Sequence, residues 1–189
     1  MFARLCIPLA AAALFCLPAR ADEPAAVAAL RQGGHVALMR HADAPGGAGD
    51  PAGFKLADCA TQRNLSGEGR RDAKAMGDKL RAAGVSFAKV SSSPWCRCVD
   101  TARLMEVGPV EIAATFGNAY TAGDKRDALT QGARQLIAGW HGPGALLVVT
   151  HGANIQSLIG YNPLQGEIVV VPAGETRLRE VGRIAPPRR

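Results

Sequence analysis

Residues 35–41 read His-Val-Ala-Leu-Met-Arg-His and residues 145–151 read Ala-Leu-Leu-Val-Val-Thr-His, two short apolar runs that each lead into a histidine. Continuous apolar runs of this length are typical of strands that are buried on both faces, as in a parallel sheet. Ligands of open α/β sheets bind beyond the carboxyl ends of the strands. We therefore predict that His41 and His151 lie together at the functional edge of such a sheet.

The segments around these two runs predict an alternation of helices and strands. Ser66, followed by apolar residues at helical spacing, predicts a helix that ends near residue 83. Ser93 as N-cap and Pro94 at the first helical position predict a second helix to about residue 105. The shorter patterns predict strands at 88–92, 110–113 and 167–171, and helices at 128–140 and directly after residue 151. This alternation indicates an α/β domain with a mostly parallel sheet.

The first 21 residues have the layout of a cleaved secretory signal. Arg4 precedes an apolar stretch from residue 7 to residue 17, and Ala19-Arg20-Ala21 stands directly before Asp22. The apolar stretch is shorter than the roughly 20 residues that span a bilayer, so we expect no stable membrane anchor, the uncleaved anchor being the alternative. We predict a signal peptide at 1–21, a single domain at 22–189, and a periplasmic or secreted protein.

The composition of the chain excludes several functional classes. Its 189 residues are 48% hydrophobic and 20% charged, as in a globular domain with a real core. A formal charge of +6 favours anionic partners. Only 5% of residues are aromatic and no Lys/Arg cluster is present, so a nucleic-acid partner is not expected. Five cysteines are too sparse for a disulfide scaffold and lack the spacing of a structural zinc site.

Three cysteines remain after the predicted cleavage. Cys98 shares a predicted helical face with Ala102 and Met105 and is expected in the core, whereas Cys96 lies in the first turn of that helix. A loop that carries Cys59 can reach that first turn. We predict a Cys59–Cys96 disulfide and a free Cys98, the alternative being three reduced thiols.

Two arginines accompany the histidines at the predicted sheet edge. Arg40 precedes His41 directly, and Arg97 lies just past the end of another predicted strand. Either histidine alone would more often be a hydrogen-bonded structural residue, and a single arginine would more often be a solvated charge. Arg40, Arg97 and the two imidazoles together form a cationic pocket with planar donors suited to phosphate oxygens.

Four segments, in order, resemble the histidine phosphatase (phosphoglycerate mutase-like) superfamily. Residues 38–42 (Leu-Met-Arg-His-Ala) resemble its Arg-His-Gly signature, and residues 64–70 (Asn-Leu-Ser-Gly-Glu-Gly-Arg) its Leu-Ser/Thr-x-x-Gly segment. Residues 92–102 resemble its Ser-x-x-x-Arg-x-x-x-Thr-Ala segment, and residues 149–152 (Val-Thr-His-Gly) that of its second histidine. The resemblance covers about residues 35–160.

This resemblance implies a three-layer α/β/α fold and a phosphohistidine mechanism without metal or cofactor. His41 would be the nucleophile, while Arg40, Arg97 and His151 hold the phosphoryl oxygens. Arg63 and Asn64 would add phosphate contacts, with a structural role in the loop as the alternative for each.

The chain departs from the family pattern at two places. Ala42 stands where the signature has glycine, which matters only if the backbone there needs positive φ. Residues 117–119 (Gly-Asn-Ala) stand where mutases of the superfamily carry a glutamate as general acid. The candidate substitutes are Asp43, Asp124 and Asp127, each of which is more often a solvated loop residue.

The missing acid favours a phosphatase over a mutase. Small exported members that resemble phosphohistidine phosphatases and lipopolysaccharide heptose phosphate phosphatases also lack a clear acid at this place. The expected substrate is a phosphomonoester or phosphoramidate, carried by a small molecule or a glycan. The alternative is a protein on the same fold that binds phosphate or another anion without turnover.

Overall fold

Six strands form one mixed sheet in the computed structural model, which describes residues 22–187. In chain order they are β1 (His35–Arg40), β2 (Phe87–Ser92), β3 (Val110–Ile112), β4 (Ala145–Thr150), β5 (Ile168–Pro172) and β6 (Gly182–Ile184). Across the sheet the order is β3-β2-β4-β1-β5-β6. Neighbours from β3 to β1 pair in parallel, and β5 pairs antiparallel with both β1 and β6. The predicted mostly parallel sheet is confirmed, and the predicted signal peptide lies outside the described residues.

Within residues 22–187, five α-helices cover the two faces of this sheet. They are α1 (Glu23–Gln32), α2 (Gly67–Ala82), α3 (Cys96–Leu104), α4 (Arg126–Ala138) and α5 (Gly152–Ile159). Successive strand residues point to opposite faces, so Ala37 and Met39 pack with α1, α2 and α3, while Val36 and Leu38 pack with α4 and α5. The fold is therefore a three-layer α/β/α sandwich. Within residues 22–187 no helix is both long and apolar enough to cross a bilayer.

The start of α3 differs from its prediction. The helix begins at Cys96 with Trp95 as the N-cap residue, rather than at Pro94 with Ser93 as the cap. The hydroxyl of Ser93 instead lies 2.9 Å from Nε2 of His151. The Ser93 side chain, which the local sequence pattern predicted as the helix cap, is therefore used in a tertiary hydrogen bond instead.

The elements at the two ends of the domain, α1 and β6, were not predicted. Helix α1 begins with a side-chain cap, since Asp22 accepts a hydrogen bond from the backbone of Ala25. It packs directly on β6, where Gly182 is required because a Cβ there would collide with the backbone of Asp22. A three-residue strand carries too short a pattern to be recognised in the sequence.

The register of the central strands brings the two histidines together. Arg40 at the end of β1 pairs with Thr150 at the end of β4, and the His41 backbone N–H donates to the Thr150 carbonyl at 2.9 Å. The ring centroids of His41 and His151 are then 5.6 Å apart. The prediction that both lie at one sheet edge is confirmed.

A long loop between β1 and α2 closes over this edge and is fastened to α3. Cys59, in a short 3-10 helix at Cys59–Thr61, forms a disulfide with Cys96, and Cys98 is free and buried. The predicted pairing is confirmed. The side chain of Gln62 adds a second tie, because its carbonyl oxygen accepts from the Cys96 backbone N–H at 3.0 Å.

Candidate active site

His41 is held in one orientation and stays neutral. Its Nδ1 lies 2.9 Å from the carbonyl oxygen of Ala42, which can only accept, so Nδ1 carries the proton and Nε2 keeps its lone pair. The residue is 2% exposed. This burial, reinforced by the nearby arginines, lowers the pKa of His41 to about 3. At neutral pH the ring is therefore a nucleophile with its free nitrogen already unprotonated.

His151 is the neighbouring neutral imidazole. Its Nδ1 accepts from Nη2 of Arg97 at 3.5 Å, and its Nε2–H donates to the hydroxyl of Ser93 at 2.9 Å. Burial, followed by the charges around it, lowers the pKa of His151 well below its ordinary value. The ring also meets the edge of Trp95 at a centroid distance of 5.4 Å. His151 is thus fixed from three sides.

Arg40 and Arg63 bring two guanidinium groups to the cavity of the histidines. Arg40 is the last residue of β1 and donates to the Pro163 carbonyl at 2.8 Å, while its buried Nε has no partner among the described residues. Arg63 lies in the long loop and donates to the carbonyls of Gly49 and Ala44 at 2.9 and 2.5 Å. An unpartnered buried donor is costly, so the Arg40 Nε–H is available for an anion.

The guanidinium of Arg97 is fully buried and paired with Asp50. Nη1 and Nη2 donate to the two carboxylate oxygens at 2.6 and 3.2 Å, and Nη1 also donates to the Arg63 carbonyl at 3.2 Å. Burial alone would raise the pKa of Asp50, but hydrogen bonds from Arg97 and the Arg63 backbone hold it below its usual range. Asp50 is therefore ionised, and this buried pair is a part of the site that was not predicted.

These groups line one cavity of about 460 Å³. Its walls also include the first residues of α5, whose backbone N–H groups lie at the positive end of the helix dipole. The lining residues with charged or imidazole side chains are Arg40, His41, Arg63, Arg97, Arg126 and His151. Among residues 22–187, none of those lining this cavity is Asp or Glu, which makes it suited to an anion. No group of three metal-ligating side chains forms in that part of the chain.

Asn64 stands apart from the cavity of the histidines. It is not among the lining residues, and its side-chain amide nitrogen donates to the Cys59 carbonyl at 2.6 Å. Its neighbour Arg63 lines the cavity. This geometry favours for Asn64 the structural role in the loop, which the sequence left open as the alternative.

The structure shows the surroundings of the two departures from the family pattern, Ala42 and the missing general acid. Ala42 does not have positive φ, so alanine fits where the signature has glycine. None of the candidate acids Asp43, Asp124 and Asp127 lines the cavity of the histidines. Asn118 occupies the wall there, and its side-chain oxygen accepts from the Tyr120 backbone at 3.1 Å. An amide cannot replace the expected acid.

Three groups at the site were missed in the sequence. Asp50 lies in a Gly/Pro-rich stretch, where nothing local distinguishes it from a solvated aspartate. Trp95 lies directly before α3 and Arg126 is the first residue of α4, and neither carries a periodic signal. Only the position of Trp95 between Pro94 and Arg97 at a strand end could have suggested its place beside His151.

The comparisons with known proteins agree with this geometry. Residues 36–117 match the model of the histidine phosphatase superfamily (branch 1), a segment that includes His41 and Arg97. No curated protein matches the chain. The family match supports a phosphatase, that is, a hydrolase.

Solved structures of several phosphatases share the fold. The protein histidine phosphatase SixA complexed with tungstate is 19% identical, with a TM-score of 0.56 over 80% of this chain and 97% of its own. Phosphoserine phosphatase from Entamoeba histolytica is 14% identical, with a TM-score of 0.56 over 80% and 96%. A mycobacterial glucosyl-3-phosphoglycerate phosphatase is 15% identical, with a TM-score of 0.54 over 77% and 96%.

At these identities the structural likeness concerns the fold, which is phosphoglycerate mutase-like. Residues 36–117 of the chain match the histidine phosphatase superfamily model.

Proposed function

We propose that the protein is a phosphatase that hydrolyses a phosphomonoester or phosphoramidate through a phosphohistidine on His41. One observation carries this proposal: a neutral imidazole with a free Nε2 stands in an arginine-lined cavity that no carboxylate of residues 22–187 lines. Phosphoryl transfer chiefly requires positioning of the nucleophile and stabilisation of charge on the equatorial oxygens. The arrangement of His41, Arg40 and Arg63 offers both.

In the first step Nε2 of His41 attacks phosphorus. The lone pair forms the N–P bond while the bond from phosphorus to the leaving group breaks, and the leaving group departs with the bonding electrons. The Nδ1–H donated to Ala42 stabilises the positive charge that develops on the ring. Arg40, Arg63 and the backbone at the start of α5 neutralise the phosphoryl oxygens.

In the second step water attacks the phosphohistidine. An O–P bond forms, the N–P bond breaks, and the electron pair returns to Nε2 of His41. The proton of the attacking water leaves with inorganic phosphate or passes to solvent. The neutral histidine is restored for the next turnover, and no metal ion or cofactor takes part in the proposed reaction.

The cavity lining limits the class of leaving group. In the described part of the chain no carboxylic acid lines the cavity to protonate a departing alkoxide, and Asn118 stands at the wall where the acid was expected. Positioned proton donation contributes about 10²–10⁴-fold and matters most for strongly basic leaving groups. We therefore assign substrates whose leaving groups are weakly basic, such as aryl phosphates, or are protonated beforehand, such as phosphoramidates.

The predicted signal peptide at 1–21 leads us to propose that the enzyme acts in the periplasm or is secreted. Its substrate would then be a phosphorylated small molecule or glycan of that compartment. A disulfide such as Cys59–Cys96 persists in an oxidising environment, which supports the same location.

The missing acid also favours a second candidate, an anion-binding protein without turnover. A panel of aryl phosphates, alkyl phosphates and phosphoramidates, assayed with the protein lacking residues 1–21, distinguishes the two. We expect release of inorganic phosphate from aryl phosphates and phosphoramidates. Tight binding of inorganic phosphate without hydrolysis of any member would establish the binding protein instead.

A further inference from the structure

We propose that Asp50 is a positioning residue that aims the Arg97 guanidinium and cancels its charge in the ligand-free site. This inference rests on the proposed phosphatase function. It assigns a role to a carboxylate that neither the family signature nor the reaction steps above use.

Asp50 is the centre of a buried hydrogen-bond cluster. Its side chain is 0% exposed and accepts from both terminal nitrogens of Arg97. It also accepts from the Trp95 indole N–H at 3.0 Å and from the Arg63 backbone N–H at 3.1 Å. A carboxylate that accepts four bonds at fixed angles holds each donor in place. The cluster therefore links Arg63 and Arg97, which line the cavity, to Trp95, which contacts the ring of His151.

The pair with Asp50 decides which part of Arg97 a substrate can meet. Nη1 is taken by Asp50 and the Arg63 carbonyl, and Nη2 by Asp50 and His151. The buried Nε has no partner within the described part of the chain, although Arg97 lines the cavity. The Nε–H is thus the donor that Asp50 leaves for a phosphoryl oxygen.

The same pair sets the net charge of the cavity. With Arg97 neutralised, the cationic side chains that remain to face a phosphate group are Arg40, Arg63 and Arg126, and product phosphate is not held by a fourth unopposed cation. If the Asp50 charge is removed, Arg97 becomes a buried cation without a counter-charge. A bound phosphate then supplies that counter-charge, so phosphate should bind more tightly while catalysis becomes slower.

The test compares Asp50→Asn with Asp78→Asn, which makes the same charge change on the exposed face of α2. Calorimetry measures the Kd of inorganic phosphate, and hydrolysis of 4-nitrophenyl phosphate measures kcat and KM. For Asp50→Asn we expect a phosphate Kd about 10-fold lower and a kcat at least about 10-fold lower. Asp78→Asn should match the wild type in both.

A purely structural role for Asp50 gives a different pattern. Loosening the loop would weaken phosphate binding, and an unchanged Kd with an unchanged kcat would show no role at all; either result overturns the proposal. If Asp50→Asn does not fold, Asp50→Glu decides, because it keeps the charge but displaces Arg97. We expect wild-type phosphate affinity with a kcat at least about 10-fold lower, and a wild-type kcat overturns the assignment.

These outcomes are separable from failure of the proposed function. A wild-type protein that hydrolyses no phosphate compound refutes the phosphatase, whereas the phosphate Kd of Asp50→Asn is measured without turnover. An active wild type with unaltered Asp50 variants refutes only the role of Asp50.

Discussion

The two sides of the cavity are built in different ways. The strand edge, formed by Arg40, His41 and His151, is positioned by the register of β1 and β4 in the middle of the sheet. The covering loop, residues 43–66, brings Arg63 to the same cavity and Asp50 to the buried side chain of Arg97, with no regular pairing to the sheet. The nucleophile is thus fixed by the hydrophobic core, and part of the anion site by polar contacts and a disulfide.

The covering loop gains its order from a few specific contacts. It contains glycines with positive φ at 46, 49 and 53, conformations that other residues rarely adopt. The Asp50–Arg97 pair and the Cys59–Cys96 disulfide fasten it to α3. Loss of one contact in the covering loop should therefore change the stability of the fold or the binding of the anion. Loss of the nucleophile at the strand edge should abolish turnover.

The largest effect is expected at the strand edge. His41→Ala removes the nucleophile and should lower kcat for an aryl phosphate by more than about 10³-fold. His141→Ala, an exposed histidine outside the cavity, is the matched control and should retain wild-type kcat. Steady-state kinetics measures both, and unimpaired turnover by His41→Ala eliminates the mechanism.

The next largest effect is a loss of stability when the disulfide of the covering loop is reduced. The disulfide closes 37 positions of chain, which in the chain-entropy model stabilises the fold by at most about 4 kcal/mol. Reduction should lower the midpoint of urea unfolding, measured by circular dichroism with and without a phosphine reductant. A Cys59→Ser/Cys96→Ser variant should be insensitive to the reductant. A wild type that is equally insensitive contradicts this account of the loop.

As the pH falls, the stability contributed by the buried histidines of the strand edge should be lost before that contributed by the Asp50–Arg97 pair of the covering loop. The pKa of His41 is lowered to about 3 by burial, against about 6.5 in the unfolded chain, so the unfolded state binds the extra proton. Stability is then complete above about pH 6.5 and decreases as the pH falls. Between pH 7 and pH 5 we expect a loss of about 2 kcal/mol from His41, with His151 acting in the same direction.

Asp50 contributes little over that interval, because hydrogen bonds from Arg97 and the Arg63 backbone hold its pKa below that of an ordinary aspartate, so it stays ionised at both pH values. Urea unfolding at the two pH values measures the difference, and His41→Asn should reduce it. A wild-type stability that is independent of pH from 7 to 5 would falsify the neutral, buried state of the histidines.

The smallest effects are expected at the aspartates outside the cavity. Asp43→Asn, Asp124→Asn and Asp127→Asn should each change kcat/KM for an aryl phosphate less than about 10-fold. A series of phosphate esters of rising leaving-group pKa should show a steep decline for the wild type. A flat series indicates a proton donor, and a large loss confined to alkyl esters in one variant identifies it.

The contrast between the two sides also explains what the sequence could predict. Apolar periodicity places β1, β4 and the residues that follow them, so the positions of His41 and His151 are predictable. The pairing of Cys59 with Cys96 follows from helical phase, since Cys98 faces the core. These features depend on local patterns and on strand ends.

The covering loop depends on contacts between residues far apart in the chain. Asp50 meets Arg97 across 47 positions, and the turned amide of Asn64 is set by the Cys59 carbonyl. Ser93 likewise bonds His151 instead of capping α3. No local propensity encodes such side-chain choices, because tertiary hydrogen bonds decide between conformations of similar local energy.

The central claim is covalent chemistry at His41, and rapid-quench trapping tests it directly. The protein is mixed with substrate labelled in the phosphoryl group, quenched within a turnover and digested for peptide mapping. We predict acid-labile, base-stable phosphate on the peptide that contains His41, and none in His41→Ala. Turnover of the wild type with no trapped phosphate, or with phosphate on another residue, would contradict the account.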